Sequence, residues 1–331
     1  MVRLLDSLRC VAALALVVLL NDCTKFDFDA PRQESFSDID TSETGLGQRL
    51  GPLRLERHPE SGFFPLFDGV DALSARLLLI HRAEKTLDTQ YYLVGDDPLG
   101  DLFFRELLKA ADRGVRVRLL IDDIGTRGIE AKLGPLDSHP NLELRLFNPF
   151  ANRGVRAFDA WDMIRLNRRM HNKTLIADNE AVIMGGRNIA AEYFSANPAY
   201  NFGDIDIAAI GTVVRDSSAM FDRYWNDRYS VPYAQLTAGD SPSMSRDELR
   251  DVMRASIATL AGSPYADLVS ERISRLADAS GQEYYWAPYR LVYDDPDKAL
   301  SDDTPASAKI TTSLADVANT AQEELLVITP Y

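Results

Sequence analysis

HNKTLIADNEAVIMGGRN, residues 171–188, is the stretch on which the fold turns. Apolar residues alternate at Leu175 and Ala177 and again at Val182 and Met184, which predicts two strands joined at Asp178-Asn179-Glu180. Strand alternation puts His171, Lys173 and Leu175 on one face, so an imidazole and an ammonium emerge side by side. That pair suits a phosphodiester. The imidazole is a nucleophile toward phosphorus, and the ammonium balances the non-bridging oxygens as charge builds in the transition state. Asn188 is placed to donate to the same oxygens, and Gly185 and Gly186 let the backbone come close to the phosphate.

The spacing resembles the HKD motif of the phospholipase D superfamily at His171, Lys173, Asp178, Gly185, Gly186 and Asn188, with glycine at 186 where many members have serine. The resemblance implies a catalytic set of His171, Lys173, Asp178, Asn188 and an acidic residue on the following strand that holds the nucleophilic histidine. Asp204 is the best positional match for that acid, and Asp206 is the fallback. Asp178, at the hairpin turn, suits a supporting part better than a chemical one. Gly185, Gly186, Arg187, Arg168 and Arg169 make up the expected substrate-binding set.

The 331 residues suit one large or two ordinary domains, and 46% apolar with 26% charged is the composition of a globular protein. A net charge of −14 argues against sequence-independent nucleic-acid binding. Local charge runs the other way just before the motif, where Arg153, Arg156, Arg165, Arg168 and Arg169 outnumber Asp159 and Asp162. This basic patch is expected where a phosphate headgroup would bind, with Trp161, Met163 and Ile164 available to the lipid's acyl or glycerol portions. The two cysteines, Cys10 and Cys23, both precede the folded body, which excludes a disulfide framework there. With four histidines in the chain, no metal or other cofactor is expected.

From Cys10 to Leu20 runs an apolar stretch too short for a comfortable spanning helix, so residues 1–23 read as a secretory signal or a membrane or lipoprotein anchor. Asp22 stands before Cys23, where a lipoprotein cleavage site would have a small residue. Residues 24–59 read as a polar tether. Residues 60–230 alternate helices and strands, the pattern of an α/β domain with a mixed or parallel sheet: helices over Asp71–Ala83, Leu99–Arg113 and Ile129–Leu136, and strands over Thr86–Val94, Val115–Ile121 and Leu142–Phe147. Asp122 and Asp123 read as turn and cap residues. A further strand follows at Asp204–Ile210 and a helix over Arg215–Tyr229. Residues 231–304 read as a connector holding one helix, Asp247–Leu260. Residues 305–331, a helix at Ser313–Glu324 leading into LLVITPY, share a layout with Ala83–Tyr92 and are expected to begin a truncated second half.

Together with LDTQYYLVGDDPLG, GVRVRLLIDDIGT and GGRNIAAEYF, the motif is similar to the C-type bacterial cardiolipin synthases from about residue 60 onward. The resemblance implies a phospholipase D-like mixed sheet flanked by helices, the first of two pseudo-symmetric halves, each with one HKD motif. It implies a phosphatidyltransferase that works through a phosphatidyl-histidine, without a metal, on phosphatidylglycerol with phosphatidylethanolamine or a second phosphatidylglycerol. A second HKD half is then required, from the same longer chain or from a homodimer. Hydrolysis by a phospholipase D-type phosphodiesterase and lipid binding without turnover by a membrane-tethered fragment are the alternatives. The expected place is the bacterial cell envelope, membrane-associated on the periplasmic face, with no nucleic-acid partner.

Overall fold

The structure, a computed structural model, describes residues 27–37, 39–237, 241–278, 283–299 and 310–325. The strands are β1 (Ser61–Leu66), β2 (Thr86–Tyr91), β3 (Arg116–Asp122), β4 (Leu142–Phe147), β5 (Thr174–Ala177), β6 (Ala181–Gly185), β7 (Asp206–Gly211), β8 (Ser230–Pro232) and β9 (Tyr285–Ala287). They form one sheet in the order β8-β4-β3-β2-β5-β6-β7-β1-β9. Strands β2, β3 and β4 run parallel, and β5, β6, β7 and β1 continue antiparallel. The helices are α1 (Gly45–Arg57), α2 (Gly69–Arg82), α3 (Pro98–Asp112), α4 (Glu130–Asp137), α5 (Met163–Leu166), α6 (Thr212–Trp225), α7 (Tyr233–Leu236), α8 (Arg246–Ala258), α9 (Pro264–Ala277) and α10 (Ile310–Ala318).

Local chemistry explains the boundaries. The Asp68 and Asp97 carboxylates accept from the first free amides of α2 and α3, and Pro98 opens α3, where its missing N–H costs nothing. Ser245 and Glu248 form a reciprocal capping box at α8. Every residue of β2 is buried, because helices cover both faces of the sheet. On one face Leu87, Leu119, Leu144, Leu175 and Ile183 pack in a core with residues of α2, α3, α4, α8 and α9. On the other, Leu120, Ile176 and Val182 meet α6 through Met220, Phe221 and Trp225.

The second face carries buried charge as well. Arg118 pairs with Asp88 at 2.7 Å and Asp222 at 2.7 Å beneath the rings of Phe221 and Trp225. Arg118 and Arg145 then donate to the carbonyls of Ser35, at 2.8 Å, and Gln33, at 2.6 Å.

Those bonds correct the expected tether over 24–59: residues 33–37 are laced to the sheet, and 45–57 are helical. The expected connector is corrected too. From 231 onward β8 and β9 extend the sheet at both edges, α8 buries Leu249 and Met253, and α9 packs on α2. The domain bounds of 60–230 therefore widen, with one sheet drawing strands from Ser61 to Ala287. Gly62 and Pro65 hid β1, since both are poor strand residues. The predicted Ser313–Glu324 helix lies at Ile310–Ala318, while the leader, both cysteines and the LLVITPY strand beyond Leu325 fall outside the described residues. Among the described residues no helix is long and apolar enough to cross a membrane.

The β5–β6 hairpin sits at the centre of the sheet, and Asp178 fastens its turn. Its carboxylate accepts from the amides of Glu84, Lys85 and Thr86 at 2.8–3.2 Å, tying the turn to the start of β2. Asp178→Ala would strand those amides in a buried setting and should lower folding stability by about 3 kcal/mol, as read by urea denaturation. Unchanged stability would refute the anchoring role.

Candidate active site

The carboxyl ends of β2, β3, β4 and β6 and the amino ends of β5 and β7 all meet along one edge of the sheet. In open α/β sheets ligands gather at such an edge, where neighbouring loops diverge. His171 and Lys173 lie there, on the extended segment leading into β5 and not within the strand, as the alternation predicted. His171 is exposed, and its ring meets the Tyr92 ring edge-on at 5.0 Å between centroids. Lys173 lies beneath, 5% exposed, donating from Nζ to the His171 carbonyl at 2.8 Å and facing the same Tyr92 ring at 5.7 Å.

Register explains the lysine's surroundings. The Gly185 amide donates to the Lys173 carbonyl, and Gly185 stands opposite Asp206 on β7. A side chain at 185 would meet the Asp206 carboxylate and Cα, with a Cβ only 2.1 Å from Oδ1. A Cβ at 186 would likewise fall 2.1 Å from Oδ1 of Asp204. The two glycines therefore make room for two carboxylates, a role different from the expected close approach to phosphate. Burial pushes the Lys173 ammonium down to about 8, and the charges of Asp204 and Asp206 pull it partway back.

Asp206 is fully buried, with Arg76 Nη1 at 2.8 Å, Arg187 Nη1 at 3.4 Å and the Arg187 amide at 3.3 Å. Arg76 also donates to the Tyr91 hydroxyl at 3.0 Å, which joins α2 and β2 to the same knot. Asp204 is half-buried beside Gly186, and its backbone carbonyl accepts from Arg187.

Several expected binding residues are spent on the protein itself. Arg187 is 2% exposed and donates to the carbonyls of Leu66, Phe67 and Tyr193, so it holds β1 to the glycine turn. Asn188 accepts from the Leu93 amide at 3.2 Å and donates to the Tyr193 hydroxyl at 3.0 Å, fastening the turn to the end of β2. Asp178 stands at the opposite end of the hairpin from His171, bonded to the amides at the start of β2.

The basic patch is likewise largely paired. Arg153 meets Asp123 at 2.9 Å, Arg156 meets Glu130 at 3.3 Å, Arg165 meets Asp162 at 2.6 Å, and Arg169 pairs with Asp122. Arg168 is half-buried. Asp122 and Asp123 thus exceed the cap role expected of them. Asp122 caps the turn after β3 and also accepts from the amide of Met170, the residue before His171, at 2.8 Å. Burial pushes its carboxyl up to about 6, against Arg169 and the amides of Met170 and Ile124. Tyr92, Asp122 and Arg76 were missed as site residues. For Asp122 a signal existed: an acidic pair closing an apolar strand, with five arginines downstream. Met163 and Ile164, expected beside the lipid, are 49% and 77% exposed. Among the described residues no group of three or more His, Cys, Asp or Glu side chains is placed to hold a metal.

Residues 77–225 match the model of the family described as "Cardiolipin synthase, PLD-like domain". The chain is 40% identical over 294 residues to cardiolipin synthase C of Escherichia coli K12, covering 86% of this chain and 60% of that protein. It is 31% identical over 319 residues to an uncharacterized protein of Helicobacter pylori 26695, covering 95% of this chain and 63% of the other. The chain therefore spans a little over 60% of the length of these relatives. Among solved structures, the phospholipase D family member Nuc from Salmonella typhimurium overlays 52% of the chain and 95% of its own, with 19% identity and a TM-score of 0.36.

The lysine offers a direct check. In the unfolded chain Lys173 titrates near 10.5, and in the fold near 8, so the buried ammonium costs stability at neutral pH and the cost fades as pH rises from about 8 to 10.5. Lys173→Met should therefore be more stable than the wild type at pH 7, on the order of 2 kcal/mol, with the gap closing by pH 10.5. A gap that does not change with pH would refute the buried-ammonium assignment.

Proposed function

We propose that this chain, whose residues 77–225 match the cardiolipin synthase, PLD-like domain family and which is 40% identical to a cardiolipin synthase over 86% of its length, is a histidine-dependent phosphatidyltransferase that moves a phosphatidyl group between phospholipids. The observation that carries the reading is an exposed imidazole and a buried ammonium set against one Tyr92 ring, with Lys173 Nζ bonded to the His171 backbone carbonyl. His171 Nε2 attacks the donor phosphorus, the bond to the headgroup oxygen breaks, and a phosphatidyl-histidine forms. A second lipid alcohol then attacks the same phosphorus, and the phosphorus–nitrogen bond breaks. In this reading the Lys173 ammonium balances the non-bridging oxygens in both transition states.

Asp204 accepts a hydrogen bond from Nδ1 of His171 in this reading, fixing the tautomer that leaves Nε2 free. Arg168, on the segment just ahead of His171, contacts the headgroup phosphate. In-line displacement puts the leaving oxygen opposite the nucleophile, so its proton comes from a group across the phosphorus. We assign that group to a second HKD half, joined to this chain or brought by a second copy. The substrates would be phosphatidylglycerol and phosphatidylethanolamine, and the working place the membrane of the bacterial cell envelope. If water takes the place of the second alcohol, the same intermediate yields phospholipase D-type hydrolysis, and a product assay with mixed lipids separates the two outcomes. Lipid binding without headgroup release would mark a non-catalytic module.

A donor whose headgroup leaves without a proton isolates the first step. With a phosphatidyl-p-nitrophenol donor, denaturation at alkaline pH, which preserves a phosphorus–nitrogen bond, followed by mass spectrometry should show one phosphatidyl adduct on His171 of the wild type, and His171→Asn should show none. Equal labelling of both proteins would remove His171 as the nucleophile.

A further inference from the structure

Away from the His171 edge, a cavity of about 470 Å³ opens between α1, α2 and the sheet. That volume lies within the roughly 300–1,000 Å³ of small-molecule sites. In its floor each of two alanines stands across from an isoleucine on the neighbouring strand, Ala181 of β6 opposite Ile210 of β7 and Ala208 of β7 opposite Ile183 of β6. Its roof is α1, which places Leu50 and Leu53 over the hollow and has glycine at 45, 47 and 51. Leu78 and Leu79 of α2, both half-buried, form a side wall.

The charge at this cavity is opposite to that of the chain. In a molecule of net charge −14, the two charged residues among its lining are Arg49 and Arg82, and no carboxylate lines it. Arg49 is exposed, and Arg82 donates to the Ala277 carbonyl at 3.3 Å. Tyr284 lies beside them, its hydroxyl pushed up by burial and drawn back by Arg49. An apolar hollow with guanidinium groups and a phenol in its lining is complementary to one amphiphile chemistry, a hydrocarbon chain with an anionic head. None of His171, Lys173 and Asn188 lines it.

We propose that this cavity holds one acyl chain of an anionic lipid, its head paired with Arg49 and Arg82, as a binding site separate from the His171 centre. Such a site would keep an anionic lipid on the protein whether or not the phosphatidyl transfer proceeds. The inference does not depend on the proposed reaction, and His171→Asn should bind as the wild type does.

Lysophosphatidylglycerol, added below its micellar concentration to the full chain and followed by native mass spectrometry and by displacement of cis-parinaric acid, tests it. The wild type and His171→Asn should bind one equivalent alike. The double variant Arg49→Gln/Arg82→Gln should lose at least tenfold in affinity, and lysophosphatidylcholine, whose head carries no net charge, should bind at least tenfold more weakly than lysophosphatidylglycerol. Leu53→Trp, which fills the hollow from a half-buried position, should abolish binding. If that variant melts early, the arginine pair decides the outcome. Absence of binding, equal affinity in the arginine double variant, or equal uptake of lysophosphatidylcholine would overturn the proposal. Loss of binding in His171→Asn would place the lipid at the reaction centre and overturn it as well.

Discussion

One buried carboxylate ties the molecule together at its working edge. Asp206 sits at zero exposure between Arg76 and Arg187, and those two cations reach the Tyr91 hydroxyl and the carbonyls of Leu66 and Phe67. The ends of β1, β2, β6 and β7 and the helix α2 are thereby joined at a single charge. Removing one member of such a group leaves an uncompensated buried ion, a loss of about 3–5 kcal/mol in comparable settings. Glycine at 185 is a condition of the arrangement, since any side chain there would occupy the carboxylate's place. The glycine pair that reads in the sequence as a phosphate cradle is, in three dimensions, first a clearance for acid.

The same economy governs the arginines before the motif. A run of positive charge in a strongly acidic chain reads as an anion site, yet most of those side chains are drawn inward by Asp122, Asp123, Glu130 and Asp162. Their effect is positional. Asp122 grips both the Arg169 side chain and the Met170 amide, and so fixes the two residues that precede His171. Beside His171 the charge is more local: the Lys173 ammonium, with Asp204 and Asp206 as its electrostatic partners. An ammonium kept short of solvent interacts more strongly with a nearby anion than one in water would.

Two faces of the sheet are treated differently. The face toward α2, α3, α8 and α9 is a conventional apolar core, except under α1, where a hollow lies over Ala181 and Ala208. The face toward α6 buries Arg118 and Arg145 against Phe221 and Trp225 and uses their remaining donors to hold residues 33–35. Polar composition at the amino end hid this docking, because the bonds that hold it come from arginines about eighty to one hundred and ten residues downstream.

The sequence by itself determined the hairpin, the rhythm of helix and strand from residue 69 to 225, and the identity of the His171 and Lys173 pair. Those are local matters: alternation, helical spacing, and a motif whose residues lie within 18 positions. Tertiary structure decided which polar groups are available to chemistry. Asp178, Asn188, Arg169 and Arg187 belong to the motif or its flanks, yet each is consumed by backbone groups or acids from other strands. Tyr92 and Asp122 enter the site only because β2 and β3 end beside the start of β5. The edge strands β8 and β9, the strand β1 beside β9, and the helix α1 were likewise invisible locally. They are short, or rich in glycine and proline, and are stabilised by pairing and burial against a sheet that the rest of the chain provides.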